Sequence, residues 1–125
     1  MTVTAAEAAR HLRSRAAERA RAAEQRAARL LGLVPSAAEL LRSRYGAHEV
    51  LLVGSLATGT FGERSDVDLA VRGVDQGDYF AALADLMALF GGPVDLVRLE
   101  QAPASLGDRI AAEGRPAKIA ADDTA

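Results

Sequence analysis

Asp66 and Asp68 stand two residues apart in Ser65-Asp66-Val67-Asp68-Leu69, at the start of a run that alternates carboxylate and apolar side chains before ending in Ala70-Val71. Residues two apart in a strand project to the same face, so this spacing sets the two carboxylates together while Val67 and Leu69 enter the core. Carboxylates held that close oppose each other's ionisation unless a cation lies between them, and an all-oxygen donor set suits a hard ion such as Mg²⁺. Asp95, flanked by Val94 and Leu96, would add a third carboxylate if its strand pairs with the 66–71 strand. Either feature alone has a plain structural explanation, a solvated Asp-x-Asp on an exposed sheet face or a glycine that ends a strand.

Their combination is what points to a site. Gly54-Ser55 directly follows the apolar run Val50-Leu51-Leu52-Val53. A glycine lets backbone N–H groups approach a phosphate, and the serine adds a hydroxyl donor. The turn lacks the Gly-Lys-Ser/Thr ending of a Walker A loop, so phosphate charge would fall mostly to metal and backbone. A phosphate-binding turn and a metal-binding acid pair would then adjoin, as a metal-bound triphosphate requires.

Several elements must position these residues. Val50 to Val53 is too continuously apolar for a half-exposed strand and predicts a buried central one, within a strand from His48. A loop is expected over 55–65, with a strand from Asp66 to Val71 and a third from Val94 to Leu99. Between them, Tyr79, Phe80, Leu83, Leu86, Met87 and Phe90 recur at helical spacing, predicting a helix over 78–90 with these six side chains in the core. A short helix over Ser105 to Glu113, capped by Gly114, and an edge strand over Arg115 to Ala120 complete the body; 121–125 is expected to fray.

The N-terminal segment differs from this body. Thr4 and Glu7 form a capping-box pattern at the start of a long Ala/Arg/Glu/Leu helix that runs to about residue 31. Gly32 predicts its end, and Pro35 the first turn of a second helix closed by Gly46. Large apolar residues are sparse before Leu30, so the first helix is either solvated or the contact for a partner. Three segments result: an N-terminal helical extension, 1–31; an α/β (α+β) domain, 32–120, with a small mixed sheet flanked by helices; and a tail, 121–125.

At 125 residues the chain fits one core. It has no cysteine, which excludes disulfides and thiolate metal sites and suits a reducing cytoplasm. His11 and His48 lie outside the carboxylate motifs and read as surface residues. No apolar run suggests a membrane span, so a soluble cytoplasmic protein is expected. The net charge of −2 is uneven: residues 1–31 carry seven Arg against three Glu, whereas 32–125 carry eight basic against fourteen acidic side chains. Without a basic stripe or aromatic platform in the body, nucleic acid is not the expected partner.

The stretch Val53-Gly54-Ser55-Leu56-Ala57-Thr58-Gly59, followed by Ser65-Asp66-Val67-Asp68-Leu69, resembles the Gly-Ser-x10-Asp-x-Asp signature of the polymerase-β-like nucleotidyltransferase superfamily, and most of all its small minimal nucleotidyltransferase (MNT) branch. The resemblance spans about residues 36–118, including Val94-Asp95-Leu96-Val97 and Ile110-Ala111-Ala112-Glu113-Gly114. It implies that Gly54 and Ser55, with Ser65, hold the nucleotide phosphates. It also implies that Asp66, Asp68 and Asp95 bind Mg²⁺, and that Asp95 helps deprotonate an acceptor hydroxyl. Many relatives carry Arg where Thr58 stands, and the cation nearest in sequence here is Arg64. MNT proteins are commonly antitoxins paired with HEPN ribonuclease toxins, so the resemblance implies AMP transfer from ATP to a toxin tyrosine. Two other readings are a non-catalytic module that neutralises its partner by contact, and an adenylyltransferase for a small antibiotic-type molecule, with homo-oligomerisation as one route to its cleft.

Overall fold

The structure, a computed structural model, describes residues 2 to 117. Its first element is one helix, α1 (Ala5–Tyr45), started by the Thr4/Glu7 capping box and stopped by Gly46 in the left-handed region at φ 75°. The break predicted at Gly32 is absent, and Pro35 lies inside α1 rather than opening a second helix. Gly and Pro in a helix interior cost about 1 and about 3 kcal/mol relative to Ala. Burial outweighs this: Leu30, Val34 and Leu41 are buried alongside Ala37 and Ala38, and each large apolar side chain contributes roughly 1.5–3 kcal/mol. The helix N-terminal to Leu30 has little apolar surface to bury, and Leu12 is 64% exposed.

Next come β1 (Glu49–Val53), a five-residue helix α2 (Gly54–Thr58), β2 (Val67–Arg72), α3 (Tyr79–Phe90), β3 (Val94–Arg98), α4 (Ala104–Glu113) and a short β4 (Arg115–Pro116). The sheet is mixed, in the order β3-β2-β1-β4. β1 runs antiparallel to β2 and β4, whereas β2 and β3 are parallel. A parallel pair needs a crossover, and α3 supplies it. The loop predicted over 55–65 is corrected at its start, because Ser55 to Thr58 form α2. Of the last predicted strand, 115 and 116 are in the sheet; 118–120 and the predicted tail lie outside the described residues.

The core lies between the sheet and the layer of α1, α2 and α3. Val50 and Leu52 of β1, Val67, Leu69 and Val71 of β2, and Val94 and Leu96 of β3 point into it against Leu41, Leu56, Leu86 and Phe90. Alternation then sends Leu51, Val53, Asp68, Asp95 and Val97 to the opposite face, where Leu106, Arg109, Ile110 and Glu113 of the ten-residue α4 line a cleft with the last four of these. β1 is therefore central in the sheet but buried fully on one face only, with Leu51 and Val53 half-buried. That departs from the predicted strand buried on both sides, and it leaves room for a cleft.

α3 also departs from prediction. Leu86 and Phe90 are buried and Tyr79 and Leu83 partly so, but Phe80 is 79% exposed and Met87 also faces outward. The apolar arc of this helix is wider than the surface available to cover it. Leu86→Ala is expected to destabilise the fold by about 2–5 kcal/mol, whereas Phe80→Ala should stay within about 0.5 kcal/mol of wild type. Urea unfolding of both variants tests the assignment, and equal losses would contradict it.

Candidate active site

The register of the sheet assembles the site. Asp68 and Asp95 are direct partners across the parallel β2–β3 pair, and Val53 is the partner of Asp68 across β1–β2. Because β1 ends at Val53, the chain turns into α2 beside the Asp68 carboxylate. Gly54 makes this possible: its φ is +72°, and a Cβ at this position would collide with the Asp68 carboxylate oxygen. The glycine is thus needed both for its backbone conformation and for a close approach.

Asp68 and Asp95 lie on a cleft of about 230 Å³ lined by Val53, Gly54, Val97 and, from α4, Leu106, Arg109, Ile110 and Glu113. Half-burial pushes the Asp68 carboxyl up from 3.8 to about 6, helped by the charge of Asp95, a hydrogen bond shared with it, and the charge of Asp66. Burial and like charge both disfavour the ionised form of Asp68. Among the described residues, no three acidic or histidine side chains converge into a ready-made metal cage. The facing oxygens of Asp68 and Asp95 are the donor set in the cleft suited to a hard divalent ion.

The predicted site residues are only partly gathered. Asp66 precedes β2, which begins at Val67, and its side chain is exposed and outside the cleft lining. Ser55 is in the first turn of α2, next to Gly54. Ser65 is built into its own loop, its Oγ accepting from the Gly62 N–H at 2.9 Å. The Thr58 hydroxyl turns back onto the Gly54 carbonyl at 3.3 Å and shares a 2.9 Å hydrogen bond with Thr60, so it braces the turn. The cation on the cleft is Arg109 rather than Arg64. Sequence reasoning missed it; its only signal is that it stands four residues before Glu113 on one helix face, where the two form a 4.0 Å pair.

A four-stranded mixed sheet with an acid pair across its parallel strands, and a Gly-Ser turn leaving the neighbouring strand, defines a nucleotidyltransferase fold. Residues 37–118 match the family described as Polymerase beta, Nucleotidyltransferase, and the chain belongs to that family. Similar solved structures include a toxin–antitoxin complex with AMP-PNP, 27% identical, with a TM-score of 0.59 over 70% of this chain and 74% of that one. Another is described as a minimal nucleotidyltransferase, 31% identical, with a TM-score of 0.56 over 66% of this chain and 87% of that one. A Shewanella oneidensis complex of a tri-AMPylated HEPN toxin with an MNT antitoxin shares the fold at 23% identity, with a TM-score of 0.57 over 75% and 76% of the two chains. No curated protein matches the chain. Among the described residues, no helix is long and apolar enough to cross a membrane.

Proposed function

We propose that this chain transfers AMP from ATP to a tyrosine hydroxyl of a HEPN-type partner and acts as its antitoxin. The observation that carries the reading is the cleft: two facing carboxylates, Asp68 and Asp95, beside walls of Val53, Val97, Leu106 and Ile110. The cleft holds about 230 Å³. It suits one inserted side chain that is apolar in its body and carries a hydroxyl at its tip, as a phenol does. Similarity to a toxin–antitoxin structure with AMP-PNP supports the choice of partner and of nucleotide.

In this reading Asp68 and Asp95 would hold Mg²⁺, with Asp66 as the third carboxylate. When bound there, the ion would supply charge compensation for the triphosphate. The Gly54-Ser55 turn, with Ser65, binds the phosphates through backbone N–H and hydroxyl donors. Asp95 accepts the proton as the acceptor oxygen attacks the α-phosphate in line and the bond to pyrophosphate breaks. The apolar walls keep competing water from the α-phosphate.

Purified chain, a HEPN partner and α-labelled ATP should give Mg²⁺-dependent labelling of the partner, abolished by Asp66→Ala or Asp68→Ala. Labelling that persists in both variants would refute the site. A contact-only antitoxin is favoured by one feature, the exposed Arg-rich start of α1. Neutralisation that survives removal of all three acids would establish it.

A further inference from the structure

The loop from Gly59 to Ser65 lies outside the sheet and leads into Asp66, whose charge acts on Asp68. Ser65 ties its end together: its N–H donates to the Gly62 carbonyl at 3.2 Å, and its Oγ accepts from the Gly62 N–H at 2.9 Å. The Ser65 carbonyl precedes β2 and finds its partner 39 residues away, where the Arg26 Nη1 of α1 donates to it at 2.8 Å. The same guanidinium lies over the Phe61 ring, 5.0 Å from its centroid. Two turns earlier on the same helix face, Arg19 faces Glu63 at 4.0 Å.

We infer that Arg26 is a positioning residue that locks the Ser65–Asp66 peptide and so sets where the Asp66 carboxylate stands relative to the acid pair of Asp68 and Asp95. The peptide unit is planar, so a fixed Ser65 carbonyl fixes the plane from which Asp66 departs. An arginine suits this task, since its flat guanidinium can stack on an aromatic face while its edge donates to a carbonyl. The continuous α1 is what brings it there, and Arg26 lies outside the stretch that matches the family. Arg19, more exposed and farther from its partner, adds little. The link to metal binding rests on the function proposed above; the lock on the loop does not.

Two measurements on the full chain separate these claims. Amide hydrogen exchange of the nucleotide-free protein should show Gly62 and Ser65 exchanging about 10-fold faster in Arg26→Ala. The amides of β1 and β2 should be unchanged, and Arg26→Lys, which keeps a donor but loses the stacking, should fall between. Titration with MnCl2 in the presence of α,β-methylene-ATP should show metal affinity weakened roughly 10–100-fold in Arg26→Ala, as for outer-shell partners elsewhere, and nearly unchanged in Arg19→Ala. Loop exchange identical to wild type, or protection lost equally across the sheet, overturns the positioning role. If wild type itself binds no Mn²⁺ with the nucleotide, the proposed function fails, while the exchange result still decides whether Arg26 holds the loop.

Discussion

Asp68→Asn is expected to abolish nucleotidyl transfer, by well over the roughly 100-fold that loss of an outer-shell partner brings, while leaving a folded and more acid-indifferent protein. Asp68 is the site residue placed most tightly by the sheet, facing Asp95 across the strands and in contact with the Gly54 turn. Its carboxyl is pushed up from 3.8 to about 6, foremost by desolvation and then by Asp95. The folded state therefore binds more protons than the unfolded chain between about pH 4 and pH 6. Stability falls as pH rises through that window, and above it the ionised group works against folding. Without metal, wild type should gain thermal stability on going from pH 7.5 to pH 5 relative to Asp68→Asn, since the substitution removes this one contribution. Protons and metal compete for the same oxygens, so transfer should also decline below about pH 6. Thermal melts of the two proteins across pH 4.5–8 provide the check, and parallel curves would show that Asp68 is not electrostatically strained.

Gly54→Ala should be nearly as damaging to transfer, expected at over about 100-fold, through geometry rather than charge. Alanine at φ +72° carries a left-handed strain of about 1–2 kcal/mol, and its methyl would also displace the Asp68 carboxylate. Gly46→Ala is the matched control. Gly46 has nearly the same φ, +75°, but open space where a Cβ would sit. Both substitutions should lower Tm by a few degrees for the shared strain, about 4 °C per kcal/mol in a domain this size. Only Gly54→Ala should lose transfer and metal affinity. Equal activity in the two variants would mean that the close approach of turn and carboxylate is irrelevant to the chemistry.

Much of this molecule is legible in its sequence because the informative signals are local. The Thr4/Glu7 box, the Gly46 cap, the apolar run ending at Val53, the alternation from Asp66 and the helical spacing up to Phe90 depend on residues a few positions apart, and each marks an element found in the fold. The Gly-Ser turn that follows β1 and the Asp-x-Asp run at the start of β2 are likewise local patterns. Local signals misled where burial set the outcome. Gly32 and Pro35 read as a boundary, but the core packing of Leu30, Val34 and Leu41 carries α1 through both. The periodicity of α3 placed Phe80 and Met87 inside, although it records which residues share a face and not how much of that face a neighbour covers.

What the sequence determined alone is the three main strands, the ends of α1 and the spans of α3 and α4, together with the short runs that carry the candidate site residues, since propensity, capping and alternation act over one or two turns of chain. Tertiary structure decided which of those residues meet. The register that sets Asp68 opposite Asp95 and Val53 beside Asp68, the cleft completed by Arg109 and Ile110 of α4, and the reach of Arg26 to Ser65 all join distant parts of the chain. Such contacts are selected by how whole layers bury their apolar faces, and no local pattern encodes that outcome.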